Sequence, residues 1–146
     1  MDMTDQQILA SLKNNSRMTA SDIGKRVALS VPAVSERIRK LEEAGIIEAY
    51  TVKINRVKTG HKLLAFVFVG IEHSKHIETF RTRIVACEPV LECHHLAGEY
   101  DYLLKVLVED TSQLERFLSD TLKKLPGVVK SNTMISLSTL KENINL

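Results

Sequence analysis

Apolar positions recur every three or four residues through the first 45 positions, and beyond them the spacing tightens into a strand-like texture. Over residues 3–14, Ile8, Leu9 and Leu12 share one face of a predicted helix. Thr4 and Gln7 stand at capping-box spacing there, and Asn14, Asn15 and Ser16 end the helix. Thr19 and Asp22 open a second, shorter helix with Ile23 and Val27 inward and Lys25 and Arg26 outward. A third helix spans 30–45. At about 100° per residue it puts Val31, Val34, Ile38 and Leu41 on one stripe, with Pro32, Ala33, Glu36, Arg37, Arg39 and Lys40 on the other side. Ser30 offers an N-cap oxygen, and Gly45 tolerates the positive φ of a helix stop. Helix, helix, tight turn, helix is a helix-turn-helix, in which the third helix reads and the second braces it.

After Gly45 the β-prone residues Ile46, Ile47, Tyr50, Val52 and Ile54 interleave with Glu48, Thr51 and Lys53, which predicts a strand or strand pair, the wing of a winged helix-turn-helix. The polar stretch 55–62, containing Gly60, reads as a linker. This divides the chain into a DNA-binding domain at 1–54, the linker, and a second domain at 63–146.

The second domain opens with LLAFVFVGI at 63–71, a run without charge or alternation that predicts a strand buried on both faces. Helices can cover one face in so short a domain, and a second subunit is expected on the other. Residues 74–87 form a helix with Ile77, Phe80 and Ile84 in register; 90–97 and 102–108 are strands joined by the turn Gly98-Glu99-Tyr100-Asp101. A helix over 111–125 turns Leu114, Phe117, Leu118, Leu122 and Leu125 inward, with Ser112 and Glu115 at capping-box spacing, and Pro126-Gly127 stops it before a last strand at 128–140. The order βαββαβ is ferredoxin-like. The expected class is therefore α+β, a winged helix-turn-helix followed by a ferredoxin-like domain.

Charge sharpens the reading of the third helix. Between Val31 and Leu41 three cations face one anion, and small residues occupy the end that would enter a groove. Such a face suits the major groove, where small side chains admit the helix and Arg or Lys reach guanine edges and phosphates. A solvated amphipathic helix carries the same pattern. Residues 1–60 hold ten Lys+Arg and seven Asp+Glu, against ten and eleven in 61–146, so the basic excess lies in the half with that helix.

No apolar run approaches the roughly 20 residues of a membrane span, and MDMTDQQ lacks the character of a signal peptide, so a cytoplasmic protein without membrane contact is expected. Cys87 and Cys93 read as free thiols. Cys93, His94 and His95 invite a metal site, but strand alternation sends neighbours to opposite faces, so neither metal nor cofactor is expected.

With both halves placed, four motifs stand in order: D-x-x-D-x-x-I-L at 2–9, L-S-x-x-x-V-x-x-R-I-x-x-L-E-x-x-G-I-I at 29–47, A-G-E-Y-D-Y-L-L-K-V at 97–106 and L-P-G-V at 125–128. Over nearly its full length the chain resembles the Lrp/AsnC, or feast/famine, family of prokaryotic transcription regulators. The resemblance implies a homodimer with facing sheets that assembles to an octamer or higher ring, binds double-stranded DNA and senses an amino acid or related small metabolite. Carried over by motif, Ser30, Pro32, Ala33, Ser35, Arg37, Arg39 and Lys40 would contact the operator, and Gly98, Glu99, Tyr100 and Asp101 would contribute to the effector site.

Elementary chemistry agrees with the second transfer. A zwitterion needs backbone amides and an anionic side chain. Gly98 lets the backbone approach, Asp101 can meet an ammonium, Tyr100 can form a wall, and Met134 and Ser136 on the last strand would set side-chain preference. A plain hairpin turn uses the same residues. Two other functions share parts of the pattern: an architectural DNA binder without effector, and a haem-pathway decarboxylase-like enzyme with His94 or His95 as acid or base. The basic reader helix would have no purpose in the enzyme.

Overall fold

The computed structural model describes residues 1–145. Its contacts divide the described residues into two compact units, Met1–Lys53 together with 143–145, and Ile54–Glu142.

The first unit is three helices, α1 (Met3–Asn14), α2 (Ala20–Val27) and α3 (Val31–Glu43). Each starts at a residue whose side chain accepts an otherwise orphaned amide: Asp2 takes that of Asp5, Thr19 that of Asp22 and Ser30 that of Ala33. The capping box of α1 is thus Asp2 with Asp5, two residues ahead of the expected Thr4 and Gln7, because carboxylates at both positions satisfy each other's backbone amide. Ile8, Ile23, Val34 and Leu41 close the core, with Val27 and Ile38 packed at its edge. Val31, expected on the stripe, is exposed: it lies in the first turn of α3, ahead of the point where that helix meets its neighbours. Ala28 ends α2 in the left-handed region (φ 54°), and Leu29 N–H donates to Gly24 O at 3.0 Å, so a single residue reverses the chain into α3.

The wing does not form as a strand. Residues 48–55 run without regular secondary structure, and Val52 and Ile54 stand exposed, because no neighbouring segment pairs with them among the described residues. Tyr50 fastens the stretch to α3 by donating its hydroxyl to Glu42 at 2.8 Å. Residues within the expected linker are folded into a turn, in which His61 N–H donates to Arg56 O at 2.8 Å and Thr59 Oγ1 to Arg56 O at 3.0 Å.

The second unit is a four-stranded antiparallel sheet, β1 (Leu63–Ile71), β2 (Val90–His95), β3 (Tyr102–Val108) and β4 (Val128–Ser136), in the order β2-β3-β1-β4. That order, with α4 (Ile77–Val85, after a 3-10 turn at Ser74–His76) and α5 (Thr111–Arg116, continuing as π-helical turns over Phe117–Leu122) as crossovers, is the ferredoxin-like arrangement. The start of α5 is held by Asp110, whose carboxylate accepts from Gln113 N–H, in place of the expected Ser112 and Glu115 box. The inward face of the sheet, Ala65, Val67, Val69, Tyr102, Leu104 and Val106, packs on Phe80, Ile84, Leu114, Phe117 and Leu122. On the outward face Leu64 and Gly70 are buried, while Phe66 and Phe68 are half-buried, so β1 is less enclosed there than the run of apolar residues implies. The chain's own segment 138–142 lies against part of this face and bounds, with Leu64, Phe66, Lys105 and Ser136, a cavity of about 330 Å³. β4 stops at Ser136, four residues short of the expected end.

Among the described residues no helix is long and apolar enough to cross a membrane, and no three His, Cys, Asp or Glu side chains converge as a metal site. Cys93 packs partly buried on the core, His94 meets Glu92 at 3.0 Å, and His95 stacks on Tyr102.

Candidate functional site

On α3 the residues expected to touch DNA divide into two groups. Ser30, Pro32, Ser35, Arg39 and Lys40 are exposed and Ala33 is half-buried, forming an accessible surface with small side chains at its opening. Its cations are already paired. Arg39 donates to both carboxylate oxygens of Glu36, at 2.7 and 2.9 Å, and to Glu43, and Lys40 lies 3.7 Å from Glu36. The Arg39 guanidinium holds the Glu36 carboxyl down at about 2, overcoming the desolvation that opposes it.

Arg37 behaves differently. It stands three positions after Val34 and four before Leu41, on the flank of the buried stripe, and its Nη1 donates to Asp2 Oδ2 at 2.8 Å and Asp5 Oδ1 at 2.7 Å. The partners of Arg39 stand at i−3 and i+4 and are legible in the sequence; those of Arg37, more than thirty positions away, are not.

In the second unit the turn Gly98–Asp101 is tied to the sheet. Asp101 N–H donates to Val69 O at 2.9 Å, and Asp101 Oδ2 accepts from Ile71 N–H at 2.7 Å, at the point where the β1–β4 register shifts. One oxygen of the carboxylate expected to meet an ammonium therefore holds β1. Tyr100 lies against Phe68 with ring centroids 5.6 Å apart. Lys130, which composition and periodicity did not single out, sits with its ammonium 4.5 Å above the Tyr100 ring and 3.6 Å from Glu99. Gly70 makes room for it: a Cβ there would stand 2.7 Å from the Lys130 chain. Met134 and Ser136 are not brought to this turn within one chain. They lie opposite Phe66 and Leu64, four and six residues along β4 from Lys130, which at a rise of about 3.3 Å per residue is roughly 13 Å or more.

Comparison with known proteins assigns both units. Residues 64–146 match the family model of the Lrp/AsnC ligand binding domain, more than half of the chain, and residues 1–48 match that of winged helix-turn-helix DNA-binding domains. The chain belongs to the Lrp/AsnC family. The leucine-responsive regulatory protein of Escherichia coli (strain K12) is 34% identical over 148 aligned residues, covering 100% of this chain and 90% of the relative. Among solved structures, a transcriptional regulator from Neisseria meningitidis in complex with L-Met superposes with a TM-score of 0.95 at 33% identity, covering 100% of this chain and 96% of that one. An AsnC family regulator from Agrobacterium tumefaciens superposes at 0.92 with 26% identity, over 100% and 96% of the two chains. This Lrp/AsnC protein is accordingly a transcription regulator with a DNA-binding helix-turn-helix head and a ligand-binding domain.

Proposed function

We propose that the regulator acts as a homodimer, laying α3 of each copy into successive major grooves about 34 Å apart, and that an amino-acid effector at the Gly98–Asp101 turn alters how dimers assemble into octamers or larger rings. The accessible opening of α3, with Ser30, Pro32, Ala33 and Ser35 ahead of Arg39 and Lys40, carries the reading: small residues admit the backbone to the groove, and the two cations lie one turn behind them. Phosphates would take over Arg39 and Lys40 from Glu36 and Glu43, and exposed pairs of this kind exchange at low cost. The half-buried Phe66 and Phe68, with exposed Met134 beside them, are the apolar surface a facing sheet would cover.

For the effector, Tyr100 and Phe68 supply an aromatic floor, and Glu99 and Lys130 supply adjacent opposite charges that match a zwitterion. The L-Met complex of the Neisseria relative supports an amino acid as the ligand class. Met134 and Ser136 would join such a site from another copy, which makes the response depend on assembly. The protein would work in the cytoplasm, where its operator is, and without catalytic chemistry.

The test is a gel-shift and sedimentation series, with and without each of the twenty amino acids, on duplexes selected by the protein from a random pool. Retarded duplex, a species of at least two chains, and a sedimentation change with one amino acid are expected. A monomer at micromolar concentration would end the paired-recognition reading, and no response to any amino acid would end the effector reading alone.

A further inference from the structure

Asp2 and Asp5 divide their oxygens between two tasks. Asp2 Oδ1 accepts Asp5 N–H and Asp5 Oδ2 accepts Asp2 N–H, both at 2.9 Å, which fixes the two carboxylates as the capping box of α1. The remaining oxygens, Asp2 Oδ2 and Asp5 Oδ1, both meet Arg37 Nη1, at 2.8 and 2.7 Å. A guanidinium from the middle of α3 therefore lands on a pair of acceptors that the start of α1 has already oriented. Asp5 keeps 15% of its side-chain exposure and Arg37 33%, so this contact is better shielded than the pairs on the opposite side of the helix. Its place on the helix agrees. At about 100° per residue Arg37 flanks the stripe of Val34 and Leu41, while Pro32, Glu36 and Arg39 point the other way.

We propose that Arg37 is a positioning residue, a latch that sets the angle at which α3 leaves α1, and that it reads no base. The proposal rests on α3 being the groove helix. Among the described residues of this unit four apolar side chains, Ile8, Ile23, Val34 and Leu41, are buried, and so small a core leaves the tilt of a helix weakly determined. Two charge-assisted hydrogen bonds donated by Arg37 to preoriented carboxylates supply the missing constraint. A reading helix that rocks presents Ser35, Arg39 and Lys40 at varying depth, so loss of the latch costs affinity at every position of the operator alike. The latch also balances charge: without Arg37, Asp2 and Asp5 are neighbouring anions at the edge of a face that must approach phosphates.

The experiment compares Arg37→Ala, Arg37→Lys, Asp2→Asn with Asp5→Asn, and the triple variant, with Lys40→Ala as control. Each full-length protein is incubated with a random duplex pool, the bound fraction is sequenced, and affinity for the wild-type consensus is measured across a salt series. As a latch, Arg37→Ala and the paired Asp→Asn variant each weaken binding by about tenfold, the triple variant is no worse than either, and the base preference at every position stays as in the wild type. Arg37→Lys, which can keep one of the two bonds, falls between. Relaxed preference at one base pair in Arg37→Ala, with unchanged or tighter binding in the Asp→Asn variant, overturns the proposal. The sequenced preference reports only on folded molecules, so a variant that folds poorly still decides the question. Lys40→Ala weakens binding uniformly and lowers the salt slope by about one if α3 is the groove helix. If neither measurement moves, the assignment of α3 fails, separately from the latch.

Discussion

The two units solve the problem of rigidity in opposite ways. The ligand-binding unit buries thirteen apolar side chains between one sheet and two helices, and its order follows from packing. The DNA-binding unit buries four among its described residues, and supplements them with a side-chain N-cap on every helix, the Asp2–Asp5–Arg37 cluster and the Tyr50–Glu42 bond. Apolar packing carries no charge to screen or titrate, whereas the Asp2–Asp5 cap and the ion pairs do. The head that must meet a polyanion is thus held by the interactions a polyanion can perturb, and the domain that must persist through binding and release is held by those it cannot.

The largest expected effect lies in the packed unit. Phe80 is fully buried with its ring 4.8 Å from that of Tyr102, and Phe80→Ala should cost about 3–5 kcal/mol. Hydrogen exchange followed by mass spectrometry should show protection falling across β1, β3 and α4 while α1 to α3 keep theirs. Equal loss in both units would show that they do not fold independently, and would break the comparison. In the head, Gly24→Ala should cost about 1–3 kcal/mol, since the new Cβ would stand 2.5 Å from the Leu29 carbonyl oxygen and the turn into α3 would have to move. A urea melt reads the loss, and operator affinity should fall with it. Asp101→Ala removes the acceptor for Ile71 N–H and should cost roughly 1.5 kcal/mol. It would loosen the effector turn without touching α3, so DNA affinity without effector should stay as it was; a matching loss there would count against separate roles.

How much of this was legible follows the same divide. β1 and β3 are where two apolar runs place them, the second broken only by Lys105, because burial of that kind is written in consecutive residues. The caps at Thr19 and Ser30 could be read, since each partner amide is three residues away. Arg37 could not: its charge groups it with the outer cations although 100° per residue sets it on the flank of the stripe, and only the fold brings Asp2 and Asp5 to it. Ala28 gave no warning of its left-handed φ, for glycine or asparagine is the usual mark of that geometry. β-prone residues predict the wing, yet a strand needs a neighbour, and a β-prone composition does not supply one. At the effector turn the charge of Asp101 suggests an ammonium partner; its bond to Ile71 depends on a register shift that no local pattern announces.

The smallest effect is the most selective for the head. Glu36 titrates at about 2 in the folded chain against an ordinary 4.5, because Arg39 pairs with its charged form. A depressed carboxyl binds its proton later in the folded state than in the unfolded one, so the pair's contribution is complete above pH 4.5 and fades as pH falls toward 2. Asp2 and Asp5 behave alike, lowered from 3.8 first by each other's backbone amides and then by Arg37. The head should therefore lose helicity in acid before the packed unit loses its sheet, and between about pH 5 and 8 neither cluster should respond. Circular dichroism across an acid titration, with hydrogen exchange to separate the units, tests the order. Glu36→Gln should shift the head's acid transition and leave that of the sheet in place. An unshifted transition would mean that the Glu36–Arg39 pair, for all its geometry, is too exposed to steady α3, and that the aspartates Asp2, Asp5 and Asp22, all held low, give the head its sensitivity to acid.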